Sequence, residues 1–408
     1  MKRALQKIFQ TGFSHYKKNN GISIDQYSAA QAIMQCANDE LGYEEWVCHE
    51  DGYVERLNHS CRHRSCPRCN NGLTHDWLER TKERLIACDH YHAIISLPHE
   101  LNELWKYNRR WCSDRLFNAS VETLRELLSD EKYLGADVGI IGSLHTWGRT
   151  LSFHPHVHLL VTGGGVSADG NWKEAKRDFL LPVGVIKAKF RGKWMSWLNS
   201  AYTKGEIVLP EHWTEREWKH TLCKIAKKNW NVRIQGAYRD GEGVSNYLSR
   251  YVRGGPIKDT QIVKADKDKV MFRYLDHRDK ESKVMTLKQN EFIGRVLSHV
   301  PEKGRHVVRY YGLYTPGAVK RRSIVRDALG LQEERRYQRK EKPHHCPHCG
   351  AILFHHLSGR CKSSYIRSQH VQQDVQADHD RPVGHSVRNF AIPPPIFFGP
   401  ESGRLTQR

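Results

Sequence analysis

Four cysteines, Cys48, Cys61, Cys66 and Cys69, and three histidines, His49, His59 and His63, fall within residues 48–69. No other feature restricts the folding choices of the chain as much. The amino-terminal stretch MKRALQKIFQTGFSHYKK interrupts its apolar residues with Gln, Lys and His, so it lacks the apolar core of a secretory leader. No run approaches the ~18 apolar residues of a spanning helix, so no membrane partner is expected and the cytoplasm, close to the nucleoid, is the expected compartment. Thiols clustered in such a chain point to metal ligation rather than to disulfides. Cys66-Pro-Arg-Cys69 has the spacing of a zinc knuckle, and with Cys48 and Cys61 it forms a candidate four-thiol set for a structural Zn²⁺. One of the three histidines could replace a thiolate, and free reduced thiols are the plain alternative. A small domain folded around that ion would present Arg56, Arg62, Arg64 and Arg68 to DNA. Cys346-Pro-His-Cys349 looks like half of a second zinc site, to be completed by Cys361 with His344, His345, His355 or His356.

The charge balance points the same way. Across 408 residues, 65 Lys and Arg face 45 Asp and Glu, a formal charge of +20, with 11 Trp and 17 Tyr interspersed. Basic residues mixed with aromatics suit a polyanion, and nucleic acid is the first candidate. At 38% hydrophobic residues the chain can bury a sizeable core, which excludes full disorder. Helical periodicity is expected over 21–47, 71–88, 101–129, 186–203 and 216–229, then 245–253 and 289–299. Apolar or β-branched runs predict strands at 91–97, 138–147, 153–161 and 232–238, then from 270 and around 305–313. Gly163-Gly164-Gly165 lacks the Gly-Lys-Ser/Thr of a phosphate loop and is read as a turn. The expected organisation is a zinc-binding domain over 1–88, an α+β domain around an antiparallel sheet over 89–315, and 316–408 as a basic helix, the CPHC knuckle and a disordered tail.

Two constellations could carry chemistry. In FHPHVHLLV, His156 and His158 lie two apart on a predicted strand, so both rings face one side. Side-by-side imidazoles can hold a divalent cation, Mg²⁺ or Mn²⁺, that polarises a phosphoryl oxygen. His145 on the preceding strand is the first choice for a third ligand, His154 the second and Asn246 the third. Tyr247 and Tyr251, four apart on a predicted helix, would project from one face with Cβ atoms about 5–6 Å apart. One phenol could attack a DNA phosphorus and a second could act while the first adduct waits; packing against the sheet is the ordinary alternative. Arg250 and Arg253 on the same segment suit phosphate contact or a solvated face.

The order SCRHRSCPRC, ISLPHEL, LHTWGRTLSFHPHVHLLVTGGG, YLSRYV and FRYLDHRDKESKVMTL resembles the insertion-sequence-91 family of two-tyrosine rolling-circle transposases across roughly residues 20–315. The resemblance implies an HUH-type ferredoxin-like antiparallel sheet with flanking helices, preceded by a small zinc-binding domain. It also implies metal roles for His156 and His158 and nucleophile roles for Tyr247 and Tyr251. The implied substrates are single-stranded DNA at the element ends and the target site, with the host replication machinery as a partner. Members of the family often carry a second cysteine three residues after the first zinc-ligand cysteine; here that position is Asp51, which leaves the ligand set at Cys48 open. A plasmid replication initiator or relaxase would share the chemistry. A non-enzymatic zinc-finger regulator would leave the histidine and tyrosine pairs structural.

Overall fold

The first two helices form because their apolar residues recur on one stripe. In α1 (Ala4–Asn19), Leu5, Ile8, Phe9 and Phe13 are buried at helical spacing. The sequence did not announce this helix, since polar residues interrupt its apolar stripe; one of them, Gln6, is buried and donates to the Met34 and Cys36 carbonyls. α2 (Ile24–Gln35) opens on a capping box, with the Gln26 N–H donating to Ser23 Oγ at 3.3 Å and the Ser23 N–H to Gln26 Oε1 at 2.9 Å. It stops well short of the expected residue 47. Gly42, at φ 86, reverses the chain, and Tyr43–Val47, rich in aromatic and β-branched side chains, instead forms β1, paired antiparallel with β2 (Val54–Asn58). α3 (Pro67–Lys82) begins with proline in its first turn.

The central domain follows. Its strands are β3 (His90–Ser96), β4 (Asp137–Trp147), β5 (Phe153–Val166), the short β6 (Trp172–Glu174), β7 (Val232–Tyr238) and β11 (Val308–Gly312). The sheet runs β11-β4-β5-β3-β7 with β6 on β5, and every pair is antiparallel. Its helices are α4 (Asn102–Tyr107), α5 (Arg109–Ser129), α6 (Val183–Thr203) and α7 (Glu215–Lys227). The expected helix over 101–129 is thus interrupted at Asn108, whose side chain bonds the Leu104 carbonyl and Val208. In α6, Ile186, Phe190, Trp194 and Leu198 repeat every four residues and pack on the sheet.

Alternation along the strands separates two faces. Val157, Leu159 and Val161 of β5, with Ala93 and Ile95 of β3, enter the large core beneath α5 and α6. Leu160 and Ile141 point the other way, into a second cluster with Trp77, Tyr314 and Val325. His156 and His158 share parity with Leu160, as His145 does with Ile141, so that second face is apolar at one end and lined with histidine at the other. The three glycines expected to turn instead prolong β5. They suit tight packing: a side chain at Gly164 would run into Trp172, and one at Gly165 would meet the Asp137 carbonyl.

A third layer consists of β8 (Ile262–Ala265), β9 (Lys269–Leu275) and β10 (Ser282–Lys288), which form their own antiparallel sheet, followed by α8 (Gln289–Ser298). Phe272, Phe292 and Ile293 from this layer share one core with Phe9 and Phe13 of α1. Packing therefore crosses the expected division at residue 88. α9 (Val319–Ala328) buries Val325 against the second face of the central sheet, and β12 (Phe354–Gly359) pairs with β1. The computed structural model describes residues 3–175, 180–238, 243–244, 255–276, 278–332 and 343–359. Among these residues the chain is α+β, with antiparallel sheets and flanking helices, and no helix is long and apolar enough to cross a membrane.

Candidate functional site

The thiols assemble in two groups rather than as the spacing suggested. Cys36, Cys61, Cys66 and Cys69 place their sulfurs within 4.8 Å of one another. Cys36 sits at the C-cap of α2 and Cys66 at the N-cap of α3, with Cys69 one turn further. The Cys36–Cys69 and Cys61–Cys69 sulfurs are 3.4 and 3.5 Å apart, too far for a disulfide of about 2.05 Å and right for thiolates sharing an ion. Hydrogen bonding from neighbouring thiols, Cys61 first, pulls Cys36 down to about 7, so this group readily supplies negative charge. Three of the four are buried beside the core of α1 and α2. This is a closed, four-sulfur structural zinc site.

Cys48, expected in that set, lies elsewhere, beside Asp51, Cys346 and Cys349. Its place is taken by Cys36, which ends a helix and belongs to no local cysteine motif. Distance along the chain hid it.

The histidine cluster rests on strand register. His145 of β4 is directly opposite His156 of β5, and Ser143 is opposite His158. One nitrogen from each of His145, His156 and His158 falls within 4.8 Å of the others. His145 and His158 are buried and His156 is half-buried beside them. His154, the second choice for a ligand, packs on His156 with ring centroids 5.1 Å apart and lies outside the group.

Hydrogen bonds determine which nitrogens carry protons. The His156 Nδ1–H donates to the His154 carbonyl at 2.7 Å, leaving a lone pair on Nε2. On the other side, His92 Nδ1–H donates to Gln235 Oε1 at 2.8 Å, so His92 Nε2 accepts from His158 Nδ1–H at 2.9 Å. His158 Nε2 is then unprotonated as well. The two ε nitrogens stand 3.1 Å apart, and facing lone pairs at that separation repel unless a cation lies between them. Burial reinforces this state: it lowers His156 to about 4, His92 to about 4 and His158 well below the usual imidazole value. The rings are neutral near pH 7, as ligation requires, and the donor set fits a divalent ion. His92 and Gln235 were not singled out in the sequence; the signal available was that His92 alternates with Ala93 and so faces the histidine side of the sheet.

A cavity of about 350 Å³ is lined by Arg62, Arg64, Arg109, Arg305, Trp105 and Trp147, among others, but by none of the three clustered histidines. The Trp147 ring stacks on His145 at 4.5 Å between centroids, so this residue is common to the cavity and the histidine cluster. Arg62 and Arg64, expected to meet DNA, therefore lie at the cavity, and Arg68 is exposed on α3. Tyr247, Tyr251, Arg250, Arg253, Asn246 and Cys361 lie outside the described residues.

Comparison with known proteins gives the family. The family model described as "Transposase zinc-binding domain" matches residues 8–97, and the one described as "Putative transposase" matches 139–323. The transposase for insertion sequence element IS801 of Pseudomonas savastanoi pv. phaseolicola is 30% identical over 323 residues, covering 76% of each chain. A Sinorhizobium fredii relative, "Putative transposase y4qJ", is 33% identical over 327 residues, covering 78% of this chain and 82% of its own. No solved structure matches. A zinc-binding amino-terminal region, a transposase region spanning the histidine strands, and relatives matched over most of their length together establish that the chain belongs to the insertion-sequence-91 family of transposases.

Proposed function

We propose that this transposase cuts and rejoins single-stranded DNA at the element ends and target by HUH chemistry, through 5′-phosphotyrosine intermediates. The observation that carries the reading is the convergence of the ε nitrogens of His156 and His158, 3.1 Å apart beside His145 on a hydrogen-bonded sheet. A Mg²⁺ or Mn²⁺ ion held there would polarise the scissile phosphate as a Lewis acid.

In the proposed sequence Tyr247 or Tyr251 attacks phosphorus, loses its phenolic proton, and displaces the 3′ oxygen. A 5′-phosphotyrosine and a 3′-OH result. The second tyrosine makes the second cut, and attack of a 3′-OH on each phosphotyrosine releases the phenol and reseals the strand, so no nucleotide hydrolysis is needed. The released 3′-OH can prime synthesis by the host replication machinery. Arg62, Arg64 and Arg109 suit the backbone phosphates, and the partly exposed Trp147 suits an unstacked base. Along the chain, we assign zinc-dependent DNA presentation to 1–88 and the nuclease to 89–315.

The test is incubation of the protein with labelled single strands carrying the element end, with Mn²⁺ or Mg²⁺ and with EDTA, followed by denaturing electrophoresis. The expected result is a metal-dependent covalent band that disappears in the Tyr247→Phe, Tyr251→Phe double variant while binding persists. Binding with no adduct under any condition would indicate a DNA-binding regulator instead.

A further inference from the structure

Cys48 and Asp51 belong to one loop and Cys346 and Cys349 to another, almost 300 residues later, yet the two loops have the same backbone. In the first, the Cys48 N–H donates to the Tyr53 carbonyl at 2.8 Å and the Gly52 N–H to the Cys48 carbonyl at 3.1 Å. In the second, the Cys346 N–H donates to the Ala351 carbonyl at 2.7 Å and the Gly350 N–H to the Cys346 carbonyl at 2.9 Å. Gly52 and Gly350 occupy corresponding places at φ 72 and 76, in the left-handed region that favours glycine. Each loop is thus a knuckle: CHEDG in one case, CPHCG in the other.

The two knuckles face each other because β12 pairs with β1, with Val47 opposite Phe354. Cys48 Sγ lies 3.4 Å from Cys349 Sγ, and Cys346 Sγ lies 3.2 Å from Asp51 Oδ2. All four donor atoms fall within 4.8 Å of one another. Cys48 and Cys346 are buried, whereas Asp51 and Cys349 open to solvent. The His348 N–H points at Cys346 Sγ at 3.4 Å, a donor that would stabilise a thiolate there.

We propose that these knuckles form a second zinc site, with three thiolates and one carboxylate, that fastens the CPHC loop to the β1–β2 hairpin. Four protein donors close the tetrahedron, so the site is structural and offers no position for substrate. It neither uses the expected partner Cys361 nor depends on the nuclease reading above. Because a carboxylate replaces the fourth thiolate and half of the set is exposed, this site gives up its ion to a chelator before the buried four-sulfur site does.

Replacing zinc by Co²⁺ in the full-length, reduced protein tests the assignment, since thiolate-to-cobalt charge-transfer absorption scales with bound thiolates and the histidine cluster contributes none. The wild type should show seven bound thiolates, four from one set and three from the other. Cys346→Ser with Cys349→Ser should lose three of the seven and one zinc per chain by elemental analysis. Asp51→Cys should add an eighth thiolate and slow zinc loss to EDTA, an outcome that needs no destabilised variant. Four thiolates in the wild type, or no added absorption in Asp51→Cys, would overturn the proposal.

Discussion

The four-sulfur cluster and the histidine cluster are both groups of metal donors, but they are held in opposite ways. Cys36, Cys61, Cys66 and Cys69 come from a helix end, a loop and a helix start. The core beside α1 and α2 and the Ala37 N–H bond to the His59 carbonyl bring these pieces together, and a shared ion would close the set. His145 and His156, by contrast, are fixed by the hydrogen-bond register of β4 and β5, and His158 is oriented by His92 and Gln235. Here the fold comes first and the ion second. The donor number follows the same division: four thiolates saturate zinc, while three imidazoles would leave positions open on a divalent ion held there.

The sharpest way to break this comparison is to remove an ion. Cys66→Ser should cost the amino-terminal helices their order, because zinc sites of this kind supply on the order of 10 kcal/mol of folding free energy. Limited proteolysis of residues 4–82 and elemental zinc analysis would check it. If Cys36→Ser kept zinc and order unchanged, the grouping around Cys36 would be wrong. His156→Ala with His158→Ala should instead leave the melting temperature near wild type while abolishing Mn²⁺ binding by calorimetry and the covalent DNA band.

Acid should weaken the sheet independently of any ion. His90 is fully buried, accepting from the Tyr314 hydroxyl at 2.6 Å, and burial lowers it to about 4. The unfolded chain, near 6.5, binds the proton more readily than the folded one, so the stability present above pH 6.5 declines as pH falls toward 4, by up to about 3 kcal/mol for this ring. Urea titrations of the zinc-loaded protein at pH 7 and pH 5 should show that decline, and a His90→Phe variant should reduce it by the share of this ring, the buried His92, His156, His158 and His299 keeping the rest. The smallest effect sharpens the relay: His92→Phe or Gln235→Ala should lower metal affinity by about 10–100-fold without unfolding the sheet, since it frees His158 to take the other tautomer. Equal Mn²⁺ affinities in wild type and variants would remove the relay from the site.

How far the sequence could be read varied with the range of the interactions involved. The strands at 91–97, 138–147 and 232–238 and the helix over 186–203 were visible because their periodicity is local. So was the shared face of His156 and His158. Residues 43–47 defeated the helix reading because pairing with β2 and β12 decides their state. The glycines at 163–165 carry turn chemistry by themselves, but Trp172 and the Asp137 backbone leave room only for glycine in a strand there.

The sequence by itself determined the kinds of donor present, the alternation that puts two imidazoles on one side of a strand, and the family to which their order belongs. These depend on residue identity and on spacings of two to four. Only the tertiary structure decided which thiols share an ion, that Cys48 turns to Cys346 and Cys349, and which nitrogen of His158 faces His156. Those outcomes depend on contacts between residues far apart in the chain, and linear spacing carries no information about which distant partners a fold will bring within bonding distance.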